Sequence, residues 1–439
     1  MIPCSKFRRL TRSDAGKMAP GWATLDRDLV ELIGARVLAG DLQDYVRFRT
    51  VCPHWSASTV RPQGRGILDR RFYPRRWMLL PEGHGLYPGH PNLRGFVRFF
   101  NLSTGAFVRV HLPLLADHVV LDSVDGLLLL HSDRDTAIRV LHPFTGDVAE
   151  LPPLASLLPQ IESNNYGELH KRSKLTRVCT SITVGSTGAI TVMLVLDLLH
   201  RVAHSTTGDR RRTLSAWNLK PLIKPVSFQG KLYALQPIVR TRKVYIYKIN
   251  PPCPDANEGQ SHLPLPEKIA ECPLEKIIYM LNFVECGSEL LLVAYADASH
   301  SRLVVCRFAD LVRGKIEPVT SIGDNALFID ERCLCVSVSP NRGSSSLASI
   351  PRNSIICWHK VPVNPGFAGP ARFGQYDLGT GIWTPASDGD IRQRPPPRPH
   401  TLIHHIFTCC NRRYWNKGLM FCVETEPIWM VKQNLRHAA

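Results

Sequence analysis

The longest hydrophobic run, Ala189 to Leu199, is interrupted by Asp197. It falls short of the ~20 apolar residues that a membrane span requires, so it reads as a buried strand. No CxxC pair occurs among the 13 cysteines, an odd number scattered along the chain with only Cys333/Cys335 and Cys409/Cys410 close together. That spacing excludes a zinc ribbon and a disulfide scaffold, and fits reduced thiols in a cytosolic or nuclear protein. Also missing are a GxSxG elbow, an HExxH helix, a Walker loop and a GxGxxG turn, so no catalytic or cofactor constellation is expected. The start of the chain has no apolar stretch of secretory type; it carries Lys6, Arg8, Arg9, Arg12 and Lys17 against Asp14, the pattern of a solvated basic arm. Acid is scarce overall, with 37 Asp and Glu against 54 Lys and Arg, and the resulting charge of +17 attracts polyanions whatever the fold.

What is present divides the 439 residues in two. Between Leu25 and Trp55, Leu25, Leu29, Leu32, Ile33 and Val37 recur at three- and four-residue steps, placing them on one face of a helix that Gly40 stops. Asp41 then stands where an N-cap belongs, and Tyr45, Phe48, Val51 and Cys52 continue the helical spacing, with Arg47 and Arg49 pointing elsewhere. Pro53 suits the first turn of a third short helix carrying Trp55. Three short helices make too little core to stand alone, so the module must lean on a partner or on the rest of the chain.

The order Leu25, Asp28-Leu29, Ile33, Val37, Arg47, Val51-Cys52 and Trp55 resembles the F-box, with Val51-Cys52-Pro53-His54-Trp55 the most specific piece and Asp26 standing where that family usually has Pro. The resemblance implies docking on the Skp-type adaptor of a cullin-based ubiquitin ligase. It also implies that Leu25, Leu29, Ile33, Val37, Arg47, Val51, Cys52 and Trp55 form the adaptor-binding set, with Leu29, Ile33 and Trp55 as anchors.

Beyond a stretch rich in Arg, Gly and Pro, the chain becomes a series of strand-length apolar runs separated by Gly, Asn and Asp. Examples are Gly126 to His131, Ile190 to Leu196, Gly230 to Leu235, Val244 to Ile249, Glu289 to Tyr295 and Arg302 to Phe308. A weak repeat runs through them: NLSTGAFVRVHLP from Asn101, HPFTGDVAELPP from His142 and YDLGTGIWTPA from Tyr376. A period of about 40 to 50 residues of short antiparallel strands is the mark of propeller blades, of which six or seven would fit; a β-sandwich and an open mixed sheet stay open. Ile322 to Val336, Ile350 to Cys357 and the Gly374 to Ala386 stretch resemble the associated domain of unknown function found in large cereal F-box families.

The expectation is therefore an α+β chain: a small N-terminal three-helix module followed by a large, mostly antiparallel, propeller-like β domain. Its parts are a basic arm over 1–20, the helical module over 21–60, a linker over 61–91, the β domain over 92–408 and a C-terminal segment over 409–439. Function is expected to be non-enzymatic, with no metal or cofactor and a cytoplasmic or nuclear location. The partners would be the Skp-type adaptor with its cullin scaffold, and an unknown protein target held by the β domain. Three features invite other chemistry. His404-His405 with Cys409-Cys410 do not match finger spacing and suit a buried terminal element. Asp122 and Asp125 flank a turn, where turn chemistry is their ordinary role. Arg70-Arg71 and Arg75-Arg76 around Phe72 and Tyr73, Lys171-Arg172-Lys174-Arg177, Arg210 to Arg212, and Arg240-Arg242-Lys243 would let arginines grip phosphates while rings stack on bases, making a nucleic-acid-binding propeller the alternative. Trp217, Trp358, Trp383 and Trp415 are spaced as core residues.

Overall fold

The structure is a computed structural model that describes residues 21–80, 96–132, 136–161, 178–196, 199–219, 223–254, 261–273, 279–297, 299–338, 350–364, 367–386 and 402–410. The basic arm, the Lys171 to Arg177 cluster, Trp415 and most of the C-terminal segment lie outside these residues, as do the side chains of Trp358, His404 and His405. The chain divides into two units, 1–65 and 66–439.

The first unit holds α1 (Arg27–Gly40), α2 (Leu42–Arg49) and α3 (Pro53–Ala57). Asp41 separates the first two because its extended backbone lets Oδ1 accept from the Gln43 and Asp44 amides at 2.7 and 3.4 Å, capping α2. Cys52 does the same for α3, its Sγ accepting from the Trp55 amide at 3.5 Å, while Pro53 fills the first turn. Val30, Phe48 and Trp55 form the core, with the two rings stacked at 4.4 Å. The inward face of α1 is centred on Val30 and Gly34, about one position away from the stripe expected from the apolar residues. Gly34 explains the offset: a Cβ there would lie 2.9 Å from Thr59 Cγ2 and 3.3 Å from the Phe48 ring, so the helices cross where the sequence offers no apolar side chain at all.

In the second unit, alternating apolar runs pair into successive sheets. The first holds β1 (Trp77–Leu80), β2 (Phe96–Asn101) and β3 (Phe107–His111). The second holds β4 (His118–Val124), β5 (Leu127–Ser132), β6 (Ile138–Leu141) and β7 (Val148–Leu151). The third holds β8 (Val178–Val184), β9 (Ile190–Leu196), β10 (Arg201–Thr206) and β11 (Thr213–Leu214). The fourth holds β12 (Ile223–Phe228), β13 (Lys231–Ile238) and β14 (Lys243–Ile249); after a two-stranded ribbon, β15 (Cys253–Pro254) and β16 (Ser261–His262), it is completed by β17 (Glu267–Pro273). The fifth holds β18 (Tyr279–Cys286), β19 (Glu289–Tyr295) and β20 (Leu303–Arg307), and is followed by the short helix α4 (Phe308–Val312). The sixth is five-stranded, in the order β22 (Cys333–Ser337), β21 (Asn325–Ile329), β23 (Ser354–Asn364), β24 (Phe367–Asp377), β25 (Trp383–Pro385). All pairings are antiparallel except β21 with β23.

Six buried clusters fasten each sheet to the next. Phe99 packs with Leu128, Val119 with Val192, Met193 with Leu232, Ile246 with Phe283, and Val305 with Leu327. The sixth cluster returns from Phe328 of the last sheet to Phe100 of the first. The ring is closed, and the fold is a six-bladed β-propeller. Two boundaries differ from expectation. The 61–91 stretch contributes β1 to the first blade, and α5 (Leu402–Cys410) crosses residue 409. Blade 1 has no counterpart of β4 among the described residues; instead α5 packs on β1 and β21, burying Ile406, Phe407, Cys409 and Cys410 in the closing cluster. Burial pushes the Cys409 thiol up to about 12, so this pair is core, in line with the terminal element expected there.

The weak sequence repeat corresponds to one recurring hairpin. In blades 1, 2 and 6 the outer turn begins with a side chain that accepts from the amides two or three residues on. Asn101 Oδ1 takes those of Ser103 and Thr104 (2.9 and 3.0 Å), His142 Nδ1 those of Phe144 and Thr145 (3.3 and 3.0 Å), and Asp377 Oδ1 that of Thr380 (2.7 Å). The glycine of each Thr-Gly pair then takes a positive φ, 68°, 76° and 73° at Gly105, Gly146 and Gly381, closing the hairpin at no steric cost.

Candidate functional site

On the helical unit, burying Val30, Gly34, Tyr45, Phe48 and Trp55 leaves other apolar side chains outside. Leu29 is 47% exposed, Leu32 51% and Val51 61%. Leu29 and Leu32 share one outward face of α1 by their three-residue spacing, while Ile33 is half-buried and packs against the core. Arg47 is exposed and pairs with Asp44 at 3.0 Å on the same helix. Leu25, Val37 and Cys52 are half-buried against the core.

Trp55, expected as an anchor for a partner, is buried: it stacks on Phe48 and donates its indole N–H to the Trp22 carbonyl at 3.0 Å. Its correction follows from the unit's size, since three short helices need their largest ring inside. His54 ties the segment before α1 to α3 by donating from Nε2 to the Leu25 carbonyl at 2.8 Å, and Tyr45 donates to the Val60 carbonyl at 2.8 Å. The eight expected site residues therefore fall into an exposed group, Leu29, Arg47 and Val51, and a supporting group, Leu25, Ile33, Val37, Cys52 and Trp55. Exposed Val46 and Trp22 were not anticipated, although Leu32 was visible as Leu29 plus three.

The propeller unit gathers charge at two places. At the first, the segment Arg70 to Arg75 crosses the β4–β5 turn so closely that a Cβ on Gly126 would sit 2.2 Å from the Pro74 carbonyl oxygen. Arg70 and Arg75 reach Asp125 at 3.5 and 3.8 Å. Glu285, at the end of β18, lies in the same field: burial and then the Asp125 charge push its carboxyl up to about 7, against the pull of Arg75 and Arg70. Phe72 and Tyr73, the rings between these arginines, are buried, and Tyr73 donates to the Ile67 carbonyl at 2.8 Å. They are not available to stack on bases. Arg71 pairs locally with Asp69 at 2.6 Å, and Lys243 with Glu271 at 2.8 Å, so these basic clusters are partly neutralised.

At the second place, buried Asp122 of β4 accepts from the Thr180 amide of β8 at 2.8 Å and faces Arg332 of the β21–β22 turn at 4.0 Å. Arg332 also donates to the Ser123 carbonyl, and its amide to the Cys410 carbonyl at 2.8 Å. Asp122 thus joins blades 2, 3 and 6, while Asp125 faces arginines in a positive-φ turn; the two carboxylates have separate partners and make no acid–base pair. Arg212, expected in a solvated basic loop, is fully buried, its Nε donating to the Pro152 carbonyl at 2.8 Å while burial lowers its pKa to about 9. Among the described residues no group of three or more His, Cys, Asp or Glu is placed to hold a metal. No described helix is long and apolar enough to cross a membrane.

The family model of the KIB1-4 β-propeller matches residues 99–375. No curated protein matches the sequence. Among solved structures, the chain is similar to the Cps50 (Swd1) β-propeller domain of Myceliophteria thermophila at 14% identity, covering 66% of this chain and 77% of that one with a TM-score of 0.26. It is similar to virginiamycin B lyase of Staphylococcus aureus at 13%, covering 48% and 59% with a TM-score of 0.23. A third is the exo-β-1,3-galactanase of Phanerochaete chrysosporium at 11%, covering 61% and 59% with a TM-score of 0.25. Superpositions this loose carry no argument about activity.

Proposed function

The chain belongs to the KIB1-4 β-propeller family, and from that premise we propose that it is the substrate-recognition subunit of a cullin-based ubiquitin ligase. The helical unit binds a Skp-type adaptor, and the propeller holds a protein target. The observation that carries the reading is the division of labour inside the helical unit: Val30, Phe48 and Trp55 supply its core, leaving Leu29, Leu32 and Val51 in solvent. Exposed aliphatic side chains on a unit with so small a core mark a surface meant for a partner.

The protein then performs no bond chemistry itself. Its contribution is effective concentration, by presenting the target to the ubiquitin-loading enzyme. The rival reading, a nucleic-acid-binding propeller, draws on the charge of +17, but its stacking rings Phe72 and Tyr73 are core residues. Co-purification with a Skp-type adaptor tests the proposal by comparing the intact chain with one lacking residues 20–60. Retention confined to the intact chain supports it; equal retention by both retires it.

A further inference from the structure

Cys286 closes strand β18 of blade 5 and Cys335 lies in β22 of blade 6, 49 residues further along the chain, yet their sulfurs stand 3.3 Å apart. Both thiols are free, both side chains are only partly buried, and both pack at the edge of the cluster that joins the two blades. We propose that Cys286 and Cys335 form a reversible oxidative modification site, a disulfide that staples blade 5 to blade 6, with a low-molecular-weight disulfide such as oxidised glutathione as its oxidant.

The arrangement assigns the two sulfurs different parts. Cys335 donates its S–H to the Cys286 sulfur, which favours the thiolate at Cys286 and pulls that pKa down, while the proton Cys335 holds and its deeper burial drive its own pKa up. Cys286, beside the exposed Gly287-Ser288 turn, is the attacking thiolate. It displaces one glutathione thiolate from the oxidised dimer and becomes a mixed disulfide. Cys335 then gives its proton to the departing thiolate or to water and attacks the Cys286 sulfur, expelling the second glutathione. Two protein thiols are oxidised and one glutathione disulfide is reduced to two thiols. Among the described residues, Cys272, Cys306, Cys357, Cys409 and Cys410 are buried, and burial raises the thiol pKa of Cys272 and Cys409 to about 11 and about 12. Nothing in this inference depends on the ligase reading.

The test uses the full-length chain equilibrated in glutathione buffers of increasing oxidised fraction, acid-quenched, alkylated and mapped by mass spectrometry. The expected product is a Cys286–Cys335 cross-linked peptide, two hydrogens lighter than the sum of its parts and restored by dithiothreitol. The thermal midpoint should rise by roughly 5 °C as the closed loop constrains the unfolded chain. Cys335→Ser should stop the reaction at a glutathione adduct on Cys286, and Cys286→Ser should abolish both adduct and cross-link. Circular dichroism verifies that each variant is folded. The inference is overturned if both thiols remain alkylatable in buffers that oxidise the protein's other accessible cysteines, or if Cys335→Ser carries no adduct at Cys286.

Discussion

Replacing Leu29 and Leu32 by Asp separates docking from folding more cleanly than any change in the core. Both side chains are about half exposed in the free chain, so the aspartates stay hydrated and stability should change by no more than about 0.5 kcal/mol. In the proposed complex the remaining half of each leucine is withdrawn from water, worth about 1 kcal/mol per residue at 1.5–3 kcal/mol for a complete burial. Losing both gives about 2 kcal/mol, and two carboxylates forced into an apolar contact add at least as much again. The dissociation constant for the adaptor should therefore rise by roughly three orders of magnitude at 1.4 kcal/mol per tenfold. Biolayer interferometry against an immobilised Skp-type adaptor measures this directly, with a thermal melt as the folding control. Unchanged affinity in the folded double variant would refute the assignment of this face to docking, and a melt lowered as much as the binding would refute its independence from the core.

The converse change, Phe48→Ala, removes the ring stacked on Trp55 and should cost about 3–4 kcal/mol, melting the helical unit as followed by loss of its helical circular dichroism. Arg212→Met should leave stability unchanged or raise it by about 1 kcal/mol or more in urea titration, because Met fills the site without a buried charge. Acid sensitivity should have one source at His142: Nδ1 accepts two amides and Nε2 donates to the Phe72 carbonyl at 3.0 Å, so the ring is held neutral and burial lowers its pKa. The unfolded chain then binds the proton first, and the stability His142 contributes is full above about pH 6.5 and is lost as pH falls through the folded value; His142→Asn, which keeps the turn cap, should flatten that slope. Glu285 works in the opposite sense. Its carboxyl is raised from 4.5 to about 7, so stability declines as pH rises through that window, and Glu285→Gln should remove the decline in urea midpoints measured from pH 4.5 to 7.

Much of this fold is legible in the sequence because β-strands announce themselves locally. Ile190–Leu196 and Glu289–Tyr295 match the expected runs residue for residue, and the Thr-Gly repeat marks outer hairpins of three blades. Legibility ends where long-range packing decides. Trp77–Leu80 lies in a stretch whose Arg, Gly and Pro content reads as linker, and its partner strand begins sixteen residues after it ends, at Phe96, so nothing local marks the pairing. On α1, Val30 and Gly34 face inward because two helices cross at a glycine, which no count of apolar residues registers. Trp55 stands on a third helix as expected, but which side it faces is not written in the spacing, since the same residue serves as core filling or as anchor depending on what else can fill the space. Arg70, Arg75, Asp125 and Glu285 meet only because the blades close a ring, and the Asp125-Gly126 turn dipeptide was the one local signal among them.

Helix α5 also sets a schedule for biosynthesis. Strand β1 is made early, but the side chains that cover it from α5 are some 320 residues further along. At 5–20 residues per second, a growing chain would carry Met78, Leu80 and Phe100 without that covering for roughly 20–60 s. During that interval the half-made ring presents a sticky edge to its surroundings, so holdase demand during translation should track the first blade, and a stop codon just before Leu402 should yield a chain that is captured or degraded instead of released.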